Sequence, residues 1–388
     1  MKIHEKKNKV MIWLCALGIL GFHAIEAVGS STRSEREAGE GELFSTWSGD
    51  SIFKKEIIIG GSWSDERGEI GGKHSVGFEF LKKFSNAKGD WASLFLQLRF
   101  VRNDRQSTLM NGAKMAPHDG EITGWGLHHH DAYFKYMGPW KGKLYFHVGY
   151  FEVPFGLEQN VDTHSTLIQL MPIRNVGFKR DWGILVGGQL PETDYDLAFT
   201  RGAGMDYRER GENYLVSGRV GTPSDRNFCM GLSGLYGDVI DSMGVMRGNT
   251  MGMMGMPNTW FGRTAKPADD IIERSRVGLD CMNLLGPYTL KGEVSYGEDE
   301  NQEIINSIFE IDYLFPDMDG RLEAIAQIQN AHQDIDAPGS DDDTFLTFGL
   351  NYRLSRAMTL QSMYRHDLQR IKNTENDNVV ALQLYTYF

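Results

Sequence analysis

The chain has 388 residues, of which 41% are hydrophobic and 24% charged, with a formal net charge of −12 and only 3 Cys. That length suits one large barrel or two to three ordinary domains. The acidic balance argues against general nucleic-acid binding, the sparse cysteines exclude a disulfide framework, and no internal run is long and apolar enough for a membrane helix.

The chain opens with a separable leader. Lys2, Lys6, Lys7 and Lys9 precede the apolar run Met11 to Phe22, and Ala24 and Ala27 follow as small residues suited to a peptidase. Residues 1–27 therefore read as a secretory signal, cleaved after Ala27 or Ala24. Cys15 has no lipobox around it. Cleavage removes four Lys and two Glu, leaving a charge of about −14. Residues 28–52 are small and polar and read as a periplasmic lead-in.

From residue 53 to the end the pattern is a β-barrel. Segments of about ten residues alternate apolar and polar side chains, separated by turn residues. Leu94, Leu96, Leu98 and Phe100 alternate with Ser93, Gln97 and Arg99. Tyr288, Leu290, Val294 and Tyr296 alternate with Thr289, Lys291, Glu293 and Ser295, and later segments repeat this. About sixteen such strands fit, an all-β transmembrane antiparallel barrel with both termini in the periplasm. The connections alternate too. Those at 85–89, 138–142, 191–193, 221–226, 283–286 and 315–319 are short, and those at 103–125, 152–182, 202–212, 238–272 and 331–342 are longer. Short periplasmic turns and long outer loops are the mark of such barrels.

A β-segment in lipid must pair every backbone group, so the sheet has to close with its apolar face outward. The polar face then lines a water-filled bore. The inferred wall carries Arg99, Lys135, Arg274, Arg276, Lys291, Arg321, Arg353 and Arg365, balanced by Glu79, Asp131, Asp280, Glu293, Glu310, Asp312, Glu323 and Asp367. Trp91, Tyr133, Tyr136, Tyr150, Tyr288, Tyr296, Tyr313 and Tyr352 are candidates for interfacial aromatic girdles. His128 and His130 share a parity beside Ala132 and Phe134, so both are expected to face lipid, with no metal bound. Residues 243–256 carry six Met, a composition suited to an adaptable outer surface more than to copper. Cys229 falls with the inward set and Cys281 with outward Val277 and Leu279, so no bond between them is expected. The terminal strand brings Val380, Leu382 and Leu384 into register with Phe388, a last-strand signal for the outer-membrane assembly machinery. No catalytic motif and no cofactor site is legible.

Residues 148–188 contain Tyr150-Phe151, Phe155-Gly156-Leu157-Glu158, Arg174-Asn175 and Asp181-Trp182-Gly183. This stretch resembles the phosphate-selective porin family of bacterial outer membranes. Weaker similarity runs through 80–99 and 131–136. The resemblance implies a sixteen-stranded barrel, usually a homotrimer, whose loop after strand 5 folds inward to constrict the pore. Phosphate-selecting members line that loop with basic residues. Here Glu158, Asp162 and His164 oppose Arg174, Lys179 and Arg180. The expectation is a passive channel for small ions and polar or anionic solutes, with a slight anion lean set by Arg174 and Arg180. One alternative is a barrel that sheathes a partner such as an electron-carrying cytochrome. Another is an outer-membrane hydrolase.

Overall fold

The computed structural model describes residues 51–65, 70–86, 89–104, 125–138, 142–159, 161, 166–171, 175–204, 213–240, 271–300, 302–333, 341–369 and 378–388. The signal at 1–27, the Met-rich 243–256 and nearly all of 28–52 lie outside them. The strands are β1 (Ser51–Ser64), β2 (Ile70–Asn86), β3 (Gly89–Asp104), β4 (Trp125–Tyr136), β5 (Tyr145–Glu152), β6 (Arg180–Gln189), β7 (Asp194–Thr200) and β8 (Tyr214–Gly221). They continue with β9 (Phe228–Ile240), β10 (Ile271–Leu285), β11 (Tyr288–Asp299), β12 (Gln302–Leu314), β13 (Leu322–Gln333), β14 (Asp341–Arg353), β15 (Met358–Gln369) and β16 (Asn378–Tyr387).

Each strand pairs antiparallel with its neighbours in sequence, and β16 returns to β1, so the sheet closes as a sixteen-stranded barrel. At the seam the backbones of Lys55 and Phe388 exchange hydrogen bonds of 2.7 and 3.0 Å. Closure leaves no unpaired edge, which a membrane requires of a sheet.

The period-two pattern decides which face meets lipid. Along β9 exposure alternates residue by residue, with Leu232 58% exposed and Ser233 3%. On β10, Val277 and Leu279 are exposed while Arg276 and Asp280 are buried. Apolar side chains outside and charged ones inside invert the order of a soluble protein. This is the wall of a membrane-spanning barrel.

Particular residues stand elsewhere than the sequence pattern led one to expect. A β-bulge lies opposite Gln97 and Leu98, which pair with Asp131 and His129 and leave His130 as the extra residue. The bulge changes the parity, so His130 is buried with its Nε2 3.5 Å from an Arg99 nitrogen. The expectation that it faces lipid is corrected. Arg321 and Arg353 are exposed at the barrel rim instead of lining its bore. The β12–β13 turn, with Asp319 and Gly320 at positive φ, delays β13 to Leu322, and β14 ends at Arg353. Tyr133 faces the lumen and stacks on His147, with ring centroids 4.8 Å apart, so it leaves the predicted girdle. Cys229 is buried and Cys281 exposed, as their parities require.

Candidate functional site

The connection between β5 and β6 turns back against the lumenal face of the opposite strands. It begins with the 3-10 turn Gly156–Gln159. The Gly156 N–H donates to Ser233 Oγ at 3.0 Å, and the Leu157 N–H donates to Glu293 Oε2 at 2.8 Å. At the far end, the Asn175 amide donates to the other oxygen of Glu293. Its carbonyl oxygen accepts from Ser295 Oγ at 2.6 Å and Asn306 Nδ2 at 3.0 Å. One carboxylate on β11 thus clasps both ends of the connection. Between them, the Gln169 carbonyl accepts from Gln327 and Gln329 at 3.2 and 2.9 Å.

The local sequence explains why this segment fits. Gly156 has φ +66°, and a Cβ there would collide with the Glu293 carboxylate. Phe155 lies against Gly278, where any side chain would displace its ring. Val153, Phe155, Val176 and Phe178 pack on Leu215, Leu235, Val239 and Ile272 of the wall. Leu157, Leu170 and Met171 pack on Ile308. The segment therefore covers the lumenal face from β8 to β13 with a packed interior.

On the other side a cavity of about 460 Å³ is left between the segment and β2 to β7. Phe95, Tyr133, Tyr145, His147 and Phe151 line it, together with Glu79, Asp131, Glu152, Glu158, Asp196 and Arg180. Tyr145 stacks on His147 with centroids 5.1 Å apart and donates through its hydroxyl to Asp196 at 2.7 Å. Arg180 pairs with Asp131 at 3.1 Å and Glu152 at 3.8 Å. Lys179 pairs with Glu152 at 3.1 Å and with Glu158. Burial works against the charge of Lys179, but Glu152 and Glu158 more than offset it and hold its pKa above the usual lysine range.

Of the six expected constriction residues, the structure brings Glu158, Lys179 and Arg180 together. Asp162, His164 and Arg174 lie outside the described residues. Among the expected wall residues, Arg99 is buried and doubly bonded to Glu56, and Lys291 bridges Glu310 and Asp312 at 2.5 and 2.7 Å. Arg365 pairs with Asp367 at 3.2 Å, and Lys135 places its ammonium 4.0 Å over the Tyr145 ring. Tyr145, His147 and Asp196 were not among the residues expected at the site, and Phe151 entered only through the resemblance. The signal was present for two of them. Tyr145 and His147 alternate with Phe146 and Val148, of which Val148 is 54% exposed.

No protein-family model matches the sequence, and no curated protein is significantly similar to it. Solved structures do resemble the fold. An anion-selective porin from Comamonas acidovorans superposes with TM-score 0.57 at 11% identity, over 87% of this chain and 99% of that one. The in-vitro folded, trimeric form of OmpT, an outer membrane protein of Vibrio cholerae, gives 0.58 at 10%, over 87% and 99%. Pseudomonas putida OprB gives 0.58 at 11%, over 89% and 96%. At these identities the likeness is one of fold: a sixteen-stranded barrel built like those of outer-membrane proteins.

Proposed function

We propose that this chain is a bacterial outer-membrane porin, a passive conduit for small ions and polar solutes. The observation that carries the reading is the β5–β6 connection clasped across the lumen by Glu293, with a polar cavity beside it. A channel needs a bore that is narrow enough to select and wet enough to conduct. The connection supplies the narrowing, and paired charges supply the wet wall. No turnover chemistry is involved.

The finer expectations change in this light. Phosphate capture in a narrow pore needs clustered cationic donors free to bind it. Lys179 and Arg180 are each tied to two carboxylates. The anion lean assigned to Arg174 and Arg180 therefore loses Arg180 as its source. A sheath around a cytochrome needs an unobstructed lumen, and the packed connection disfavours it. A homotrimer suits the reading. The wall is shortest at β5, β7 and β8, of 8, 7 and 8 residues, where neighbouring barrels would shield it from lipid. The strand ending in Phe388, whose side chain is half exposed, presents the last residue to the assembly machinery.

The test is reconstitution of the purified protein in a planar bilayer. Stepwise ohmic currents in potassium chloride are the expected result. A barrel that inserts, keeps its heat-modifiable gel mobility and passes no current would end the porin reading.

A further inference from the structure

The cavity beside the connection has a composition that the proposed channel does not by itself explain. Its aromatic wall comes from three adjacent strands. Phe95 on β3 packs on Tyr133 of β4 with centroids 5.5 Å apart, and Tyr133 stacks on His147 of β5. Tyr145 continues the column, and Phe151 meets His147 edge-on at 6.1 Å. Aromatic rings grouped in a cavity of about 460 Å³ are the usual furniture of a small-molecule site.

Charge decides which molecule. Among the described residues, five carboxylates line the cavity against one guanidinium. Asp131, Glu152 and Glu158 are engaged by Arg180 and Lys179. Glu79 has Lys54 at 3.7 Å and the Tyr387 hydroxyl at 2.9 Å. Asp196 differs from the others. Its hydrogen-bond donor is the neutral Tyr145 hydroxyl, and no Lys or Arg among the described residues forms an ion pair with it. The nearby ammonium of Lys135 lies over the Tyr145 ring instead. The wall thus already holds one ammonium against an aromatic face, and beside it stands a carboxylate that this ammonium and Arg219 reach only through space, without an ion-pair contact.

An anion entering here meets carboxylate oxygens on most sides, and a neutral solute leaves Asp196 without a direct ion-pair partner in a part-dehydrated bore. A cation with a short organic body answers both features, because ring faces attract cations and Asp196 supplies the opposite charge. We propose that this cavity is a transit site for small organic cations, alkyl ammonium compounds in particular, with Asp196 and the Tyr145 ring as its recognition pair. The proposal rests on the porin reading and reverses the anion preference expected from the sequence.

The experiment uses the full-length protein in planar bilayers. Under a tenfold potassium chloride gradient, the reversal potential should show cation preference. Putrescine added at millimolar levels to one side should reduce the potassium current in a saturable way. Asp196→Asn keeps the hydrogen bond from Tyr145 and removes the charge. It should weaken putrescine block at least fivefold and move the reversal potential toward chloride. Glucose and inorganic phosphate, tested in parallel, should not block. Block by either of them in place of putrescine, or putrescine block unchanged in Asp196→Asn, overturns the proposal while leaving the channel intact. Absence of any current would instead remove the porin reading beneath it. Should Asp196→Asn fail to insert, Tyr145→Leu read by the same block assay replaces it, and an unweakened block there is equally decisive.

Discussion

From β8 to β13 the lumenal wall is covered by the β5–β6 connection, whereas from β2 to β7 it faces a cavity. The two halves use the same residue types differently. In the covered half the wall neutralises itself. Arg274 and Arg276 both bind Asp299, at 2.9 and 2.8 Å, and Arg219 binds Asp280 at 2.6 Å, all with side chains at most 5% exposed. That leaves Glu293 to accept neutral donors from the connection. In the open half the pairs join the connection's own root, Lys179 and Arg180, to carboxylates around the cavity. Buried pairs fix structure, and part-exposed pairs at a water boundary set the field that solutes meet. The comparison separates residues that hold the barrel from residues that tune it.

The largest effect should come from breaking the self-neutralised half. Arg276→Ala leaves Asp299 with a single partner and empties a fully buried site, so a loss of about 3–5 kcal/mol is expected. Urea unfolding of the lipid-reconstituted barrel measures it. Arg180→Ala, at the side-chain exposure of 11% that its pair shows, should cost clearly less in the same assay. Equal losses would erase the distinction between the halves.

Next comes the clasp. Glu293→Ala strands the Leu157 N–H and the Asn175 amide, each worth about 1–3 kcal/mol when left unsatisfied. The connection should then leave the wall, and single-channel conductance should rise about twofold or more by widening the bore. Gly156→Val should act the same way, because its side chain occupies the space of the Glu293 carboxylate. Unchanged conductance in both would mean that the apolar contacts of Phe155 and Leu157 hold the connection without the carboxylate.

These residues also mark how far the sequence could be read. The barrel was legible because lipid imposes one rule on every strand, and the expected spans reach within a few residues of those observed. For example, the short connections expected at 221–226 and 315–319 fall in the breaks between Gly221 and Phe228 and between Leu314 and Leu322. Glu293 could be placed inside from its parity with Lys291 and Ser295. Its role could not be read, because the partners Leu157 and Asn175 lie 136 and 118 positions away. His130 was misplaced because a bulge leaves no mark in an alternating string. Tyr133 was assigned to the girdle although it shares its parity with Asp131 and Lys135, and that signal was there to use. Arg180 was expected to be a filter charge, since its carboxylate partners arrive from β4 and the end of β5.

The smallest expected effect concerns that same arginine and sharpens the picture of the open half. Among the described residues Arg180 is the one guanidinium lining the cavity, and it divides its charge between Asp131 and Glu152. Arg180→Gln keeps a donor near Asp131 but releases one negative charge into the bore. Charges at a narrow, part-dehydrated site are screened less than those on an open surface, so even one should register. Yet Lys179 stays beside Glu152 at 3.1 Å and takes up part of the released charge. The change in the cation-to-anion permeability ratio should therefore be modest, about twofold to threefold toward cations, with conductance nearly constant. Reversal potentials for wild type and Arg180→Gln in the same salt gradient give the answer. A shift toward anions would mean that Arg180 compensates the carboxylates so completely that its loss reorders Lys179 into the bore. No shift would place the selective stretch away from this cavity, among the outer connections.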